Sequence, residues 1–213
     1  DINRDPAPLI FEEKKVDGIT VVHHDMFTAG IGYLRVMFDI NRVPMEDLPY
    51  IGLLKSVLGY VDTERHTYGD LSSEIFLNSG GLNFSVTTYP NMKDGGFIGV
   101  FSTSVRVLYE KLDFGFEILS EIFTESKLDD EKRMREILNE VKSKGQMKLM
   151  GSGHTASVTR ATAYFSDTSY FNDMTGGIGF FHCVEDWVRD FEEKKTEIIA
   201  GLKRVSKWLF TVE

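Results

Sequence analysis

An α+β architecture, a mostly antiparallel sheet packed on one face by helices, is what three features of the sequence predict. Strand-like segments fill the first forty residues, helical periodicity dominates after residue 107, and the order between is strand, helix, helix, strand, strand, helix. Strands grouped apart from helices, rather than alternating with them, mark a layered α+β fold and not a parallel α/β sheet. The 213 residues, 42% of them hydrophobic, are enough for one domain over 1–213. Such a chain buries roughly 70% of the surface its unfolded form exposes and needs no disulfide or metal to hold a core.

The first strands are expected at Pro8 to Lys15, Gly18 to His24 and Ile31 to Ile40. Asp17-Gly18 is a hairpin signal, since both residues tolerate the positive φ that a tight two-residue turn requires. After Pro44 the pattern turns helical: Leu48, Ile51, Leu54, Val57, Leu58 and Val61 place a helix over about 46–61. A second helix opens at Thr67, whose hydroxyl can accept from the backbone near Asp70, and stops at Asn78-Ser79-Gly80-Gly81, where glycine allows a left-handed cap. Leu82, Phe84, Val86 and Thr88 alternate with polar neighbours, a strand with one buried face. Its partner is Phe97 to Val107, joined to it by the turn Pro90 to Gly96. Leu108, Leu112, Phe116, Leu119 and Phe123 line a helix at about 107–125. The next helix opens with Asp129-Asp130-Glu131 and closes near Lys142, Lys144 and Lys148, complementing the helix dipole at both ends, and Gly151-Ser152-Gly153 breaks it. A further helix is expected from His154 to about Phe165, a loop over Ser166 to Gly177, and two helices at about 178–189 and 190–207.

Composition excludes several function classes. The formal charge of −9 is spread over both halves of the chain, which argues against nucleic acid and anionic membrane surfaces as partners and favours basic or neutral ones. No apolar run approaches the roughly 18 residues of a membrane span. A single cysteine, Cys183, points to a reducing compartment or to indifference, and without a signal peptide or membrane span in this stretch a cytoplasmic setting is expected. The opening Asp1-Ile2-Asn3-Arg4-Asp5 is neither a signal peptide nor an initiator methionine, so the chain reads as part of a longer polypeptide.

Catalytic constellations are sparse. None of the histidines at 23, 24, 66, 154 and 182 has another three or four residues away, so neither H-E-x-x-H nor H-x-x-E-H occurs, and no metal or cofactor site is expected in this chain. His23-His24-Asp25 is the densest cluster, but adjacent strand residues point to opposite faces, so only one of the two histidines could join any site. Cys183, set among Phe180, Phe181 and Trp187, reads as a small buried hydrophobe. No G-x-S-x-G elbow occurs, and Gly80-Gly81, Gly95-Gly96 and Gly176-Gly177-Ile178-Gly179 lack the following Lys-Ser/Thr of a phosphate loop, so they read as caps and turns. No catalytic residue is therefore assigned. One feature is less bland: Asp113, Glu117, Glu121 and Glu125 form an acidic stripe at four-residue spacing beside the apolar face of their helix. Its plain reading is a solvated outer face; its functional reading is a wall that attracts cationic peptide.

The run His24-Asp25-Met26-Phe27-Thr28-Ala29-Gly30-Ile31-Gly32-Tyr33, continuing through Val36-Met37-Phe38-Asp39, resembles the opening of the C-terminal half of presequence-protease-like metallopeptidases of the pitrilysin/insulinase group. Leu48-Pro49-Tyr50 through Asn78-Ser79-Gly80-Gly81 is similar to that half's first helix pair. Ser152-Gly153-His154, Arg160-Ala161, Tyr164-Phe165-Ser166 and Gly176-Gly177 resemble its later helical region. The stretches cover nearly the whole chain in consecutive order.

This resemblance implies an α/β-roll domain, one of four in a clamshell that closes around unfolded peptide. It implies zinc held elsewhere in the parent chain, by an H-x-x-E-H helix and a distal Glu of the first domain. This chain resembles the third, non-catalytic domain. Laid on the zinc helix, its first helix puts Ile51 and Lys55 near the two histidine positions and Leu54 near the glutamate. The family's substrate-anchoring Arg and Tyr would lie beyond Glu213. The expected partners are the other domains of the parent chain and peptide substrates, basic ones favoured. The alternative reading is a self-standing interaction module or a non-catalytic subunit of a two-chain peptidase.

Overall fold

A computed structural model describes residues 11–24, 27, 29–91 and 96–210, which form two compact units divided between Ile31 and Gly32. Residues 8–10 of the first expected strand, Asp25, Met26 and Thr28 of the family-like opening, and positions 92–95 of the expected turn lie outside the described residues.

The first unit is a hairpin. Strand β1 (Glu12–Val16) pairs antiparallel with β2 (Ile19–His23), Val16 opposite Ile19. Asp17 and Gly18 between them have φ of 50° and 84°, the double positive φ of a type I′ turn, as the Asp-Gly pair predicts. His23 and His24 are both exposed.

In the second unit β3 (Ile31–Asp39), β4 (Leu82–Pro90) and β5 (Phe97–Leu108) form a sheet in the order β3-β5-β4. Strands β4 and β5 are antiparallel, with Leu82 opposite Val105 and Val86 opposite Phe101. Alternation puts Leu82, Phe84 and Val86, with Phe101, Val105 and Val107, on one face. These residues, with Leu34, Val36 and Phe38, pack into the apolar clusters, so helices cover the sheet on that face. Phe38, Phe123 and Phe210 interlock there, with Phe123 and Phe210 stacked at 4.5 Å.

Helix α1 (Leu48–Val57) buries eight of its ten residues, so it is a central helix rather than an amphipathic surface one. It is shorter than the periodicity implies. A 3-10 turn (Met45–Asp47) precedes it, and extended Leu58 followed by Gly59 at φ 81° ends it. Helix α2 (Tyr68–Asn78) begins as expected, with the Thr67 hydroxyl accepting from Asp70 N at 3.2 Å. Its end differs from the glycine cap expected: extended Ser79 ends the helix, and the positive φ falls two residues on, at Gly81 with φ 121°. Helix α3 (Leu112–Glu125) starts five residues later than predicted because β5 runs to Leu108 and a 3-10 turn intervenes. Its buried face is Gly115, Ile118, Leu119, Glu121 and Ile122, while Phe116 faces outward.

The expected break at Gly151-Ser152-Gly153 is present: two helical pieces, taken together as α4 (Glu131–Thr162), meet at a kink where Ser152 is non-helical, with φ −139° and ψ 35°. One correction concerns the helical half. The expected loop over 166–177 contains α5 (Asp167–Gly176), N-capped by the Ser166 side chain, which accepts from Ser169 N. Its sequence DTSYFNDMTG carries almost no periodic apolar signal, and burial of Phe171, Asp173 and Thr175 against the rest of the unit holds it instead. Helices α6 (Ile178–Arg189) and α7 (Phe191–Phe210) agree with the sequence reading. Among the described residues no helix is long and apolar enough to cross a membrane.

Candidate functional site

A cleft of about 620 Å³ lies where α1, α4, α5 and α6 meet. Its walls are apolar on the α6 side, with Phe180, Phe181 and Val184, and carry the Ser152, Thr155 and Thr159 hydroxyls on the α4 side. Close helix approach shapes it. A Cβ on Gly52 of α1 would stand 2.7 Å from the Thr175 carbonyl oxygen and 2.9 Å from the Phe180 ring, so only glycine lets α1 reach the joint between α5 and α6.

Two lysines converge on that joint. Lys55 Nζ donates to the Thr175 carbonyl at 2.7 Å, and Lys148 Nζ donates to the next carbonyl, Gly176, at 3.0 Å. These carbonyls end α5, where backbone acceptors have no intrahelical partner. Lys148, expected to complement the end of its own helix, therefore serves the end of α5. Burial pushes the Lys55 ammonium down to about 8, and the positive charge of Lys148 adds to the effect. Lys144, also lining the cleft, pairs with Glu140 one turn before it at 2.5 Å.

Beside the cleft, fully buried Asp173 fixes the α5–α6 junction. Its Oδ2 accepts from Arg160 Nη1 at 2.8 Å and from Gly179 N at 3.1 Å, and Oδ1 has no hydrogen-bond partner. A Cβ at Gly177 or Gly179 would fall 2.6 or 2.5 Å from this carboxylate, which explains the Gly176-Gly177-Ile178-Gly179 spacing. Gly177 caps the end of α5 and the start of α6, as the sequence reading expects, and Gly177 and Gly179 in addition leave room for a buried acid.

The acidic stripe is divided by the structure. Asp113 and Glu117 are exposed, Glu121 is 3% exposed, and Glu125 is half-buried. The Thr63 hydroxyl donates to Glu121 Oε1 at 2.5 Å, and His66 Nδ1 lies 2.8 Å from the same oxygen. Burial alone would raise the Glu121 carboxyl, but the Thr63 and His66 contacts outweigh it and hold the group below its ordinary value. Arg65 grips Glu125 through Nε at 3.0 and 3.1 Å and Nη2 at 2.6 Å. The loop at 63–66 thus consumes the last two members of the stripe, a contact across more than fifty residues that helical spacing could not reveal.

The other residues singled out from sequence stay apart from the cleft chemistry. Cys183 is half-buried, and burial raises its thiol, the opposite of a nucleophile's requirement. His182 lies beside Glu185 at 3.4 Å, and among the described residues no group of three or more His, Cys, Asp or Glu is assembled as a metal ion would need. Ile51 and Leu54, two positions the resemblance lays on the zinc helix, are fully buried in the core, whereas Lys55 lines the cleft. The cleft's groups can bind and orient a ligand.

Residues 1–186 match the family model described as peptidase M16, subfamily C, associated. The chain belongs to this peptidase-associated family. The resemblance to presequence-protease-like metallopeptidases drawn from its motifs is borne out by its relatives. It is 30% identical over 211 residues to Protein HypA of Clostridium perfringens, covering 99% of this chain and 22% of that protein. It is 23% identical over 210 residues to Presequence protease 1, chloroplastic/mitochondrial, of Arabidopsis thaliana, covering 98% and 19%. With Presequence protease, mitochondrial, of Danio rerio it shares 25% over 201 residues, covering 92% and 19%. This member of the family thus spans about a fifth of the length of these relatives. Among solved structures, a conserved protein from Enterococcus faecalis V583 superposes with a TM-score of 0.52 at 16% identity, over 72% of this chain and 37% of that one, a likeness of fold alone.

Proposed function

We propose that these residues are a non-catalytic section of a presequence-protease-like zinc metallopeptidase, forming part of the wall of a chamber that encloses unfolded peptide. The observation that carries this reading is the family match over residues 1–186, together with relatives named as presequence proteases that are about five times as long. The hydrolytic zinc is assigned to another domain of the parent chain. Buried Ile51 and Leu54, at the positions laid on a zinc helix, support that assignment, because neither side chain can ligate a metal or serve as a base. The chain's own task is confinement: packing against the other domains in a pitrilysin-type α/β roll, and admitting extended peptide while excluding folded protein. Exposed Asp113 and Glu117, with the net charge of −9, favour basic substrates. Cytoplasmic placement belongs to this reading as well.

The test is peptidase activity of the 213-residue chain with added zinc on unstructured fluorogenic peptides. No chelator-sensitive cleavage is expected, and robust chelator-sensitive turnover would overturn the assignment.

A further inference from the structure

The cleft between α1, α4, α5 and α6 holds two cations whose charge the described residues leave unanswered. Capping α5 occupies one donor of each ammonium, on Thr175 O and Gly176 O. An ammonium has three donors, so each retains others for a ligand. Among the described residues no carboxylate stands within ion-pair distance of Lys55 or Lys148. Asp173, the buried acid of the junction, gives its Oδ2 to Arg160 and Gly179 N. Two like charges on successive carbonyls, one of them mostly buried, are a costly arrangement for a structural cap alone, since a cap needs only one cation and no burial. Gly176 contributes to it: a Cβ there would stand 3.2 Å from Lys55 Nζ, so glycine leaves the ammonium its space.

What surrounds the cations selects the anion. Phe180, Phe181, Val184 and Leu149 line the cleft, and its volume of about 620 Å³ lies within the range of small-ligand sites. A bare, strongly hydrated anion would meet the two ammoniums but would leave the apolar walls in contact with water. A carboxylate attached to an apolar group satisfies both parts: its oxygens meet Lys55 and Lys148, and its apolar side chain meets the two phenylalanine rings.

We propose that this cleft receives the C-terminal carboxylate of a peptide whose last side chain is apolar. The peptide source rests on the peptidase reading; the recognition of a carboxylate beside an apolar group rests on the cleft itself. A receptor for the free end of a peptide would hold short peptides by a terminus they all possess, without reading their internal sequence.

Titration of the 213-residue chain with N-acetyl-Leu-Phe, followed by calorimetry and by amide chemical shifts, measures this without hydrolysis, so its outcome is independent of whether the parent chain is a peptidase. The acid is expected to bind at least about tenfold more tightly than its C-terminal amide, and Lys148→Gln is expected to bring the two affinities to within about twofold of each other. Lys148→Gln keeps a donor for Gly176 O and so tests charge rather than folding; circular dichroism verifies that it folds. Equal affinity for acid and amide, or no binding at about 10 mM peptide, overturns the proposal. Octanoate binding without peptide-acid binding overturns the peptide source, and inorganic phosphate binding in preference to the acid overturns the carboxylate assignment.

Discussion

Replacing Lys55 by methionine gives a stability change whose sign depends on pH. The Lys55 ammonium is mostly buried, and its value falls from 10.5 to about 8 in the folded chain. Below pH 8 the group is charged in both states and the folded state bears the cost of burying it. Between pH 8 and 10.5 the unfolded chain holds a proton that the folded chain has released, so stability rises with pH; above 10.5 the cost is gone. At about 1.36 kcal/mol per unit, the full span corresponds to about 3 kcal/mol. Methionine matches the length of the stem and removes the cost, but strands the Thr175 carbonyl, a loss of about 1–3 kcal/mol. Lys55→Met is therefore expected to equal or exceed the wild type in stability at about pH 7 and to be less stable by about 1–3 kcal/mol near pH 10.5. Urea denaturation at both pH values, followed by tryptophan emission with buried Trp187 as reporter, measures the difference. Tyrosine titration affects both proteins and cancels. A difference between the two proteins that stays constant within about 0.5 kcal/mol across this pH range would refute a buried, depressed ammonium.

Three other perturbations have defined outcomes. Glu121→Gln is expected to cost about 1–3 kcal/mol at neutral pH, because a buried acceptor of Thr63 and His66 loses its charge. Since the Glu121 carboxyl is held below its ordinary value, its stabilisation is complete above that value and lost as pH falls through the folded one, so thermal melts from about pH 7 to about pH 3 should show a steeper acid decline in the wild type than in the variant. Gly201→Ala would place a Cβ 2.4 Å from the ring of Tyr50, which stacks on Trp187, and should cost about 1–3 kcal/mol with a changed near-ultraviolet circular dichroism signal. Gly151→Ala meets nothing within 4 Å and should instead gain up to about 1 kcal/mol, read as a higher urea midpoint.

Local signals in the sequence carry over into the fold and long-range ones do not. Asp17-Gly18 specifies its hairpin, Thr67 its helix start, and the alternation after Leu82 its strand, because each depends on residues within a few positions. Helix α5 escapes sequence reasoning because its polar segment is held by what it packs against. The cleft is illegible for a similar reason: Lys55 and Thr175 are 120 residues apart, and Lys148 and Gly176 are 28 apart. Helical spacing places Glu121 on a stripe correctly, yet its hydrogen bonds come from Thr63 and His66, which no periodicity connects to it. Arg160 and Gly176-Gly177, both among the stretches that carry the family resemblance, prove to be neighbours around Asp173 and the cleft.

The role proposed for these residues is to face enclosed peptide inside a larger peptidase. It is tested most directly by trapping a photo-cross-linkable, basic peptide in the intact parent polypeptide, with hydrolysis blocked by a chelator, and mapping the labelled residues by mass spectrometry. Labels are expected within residues 32–213, including the α3 face that carries Asp113 and Glu117. Labels confined to other parts of the parent polypeptide, with none in this stretch, would contradict it.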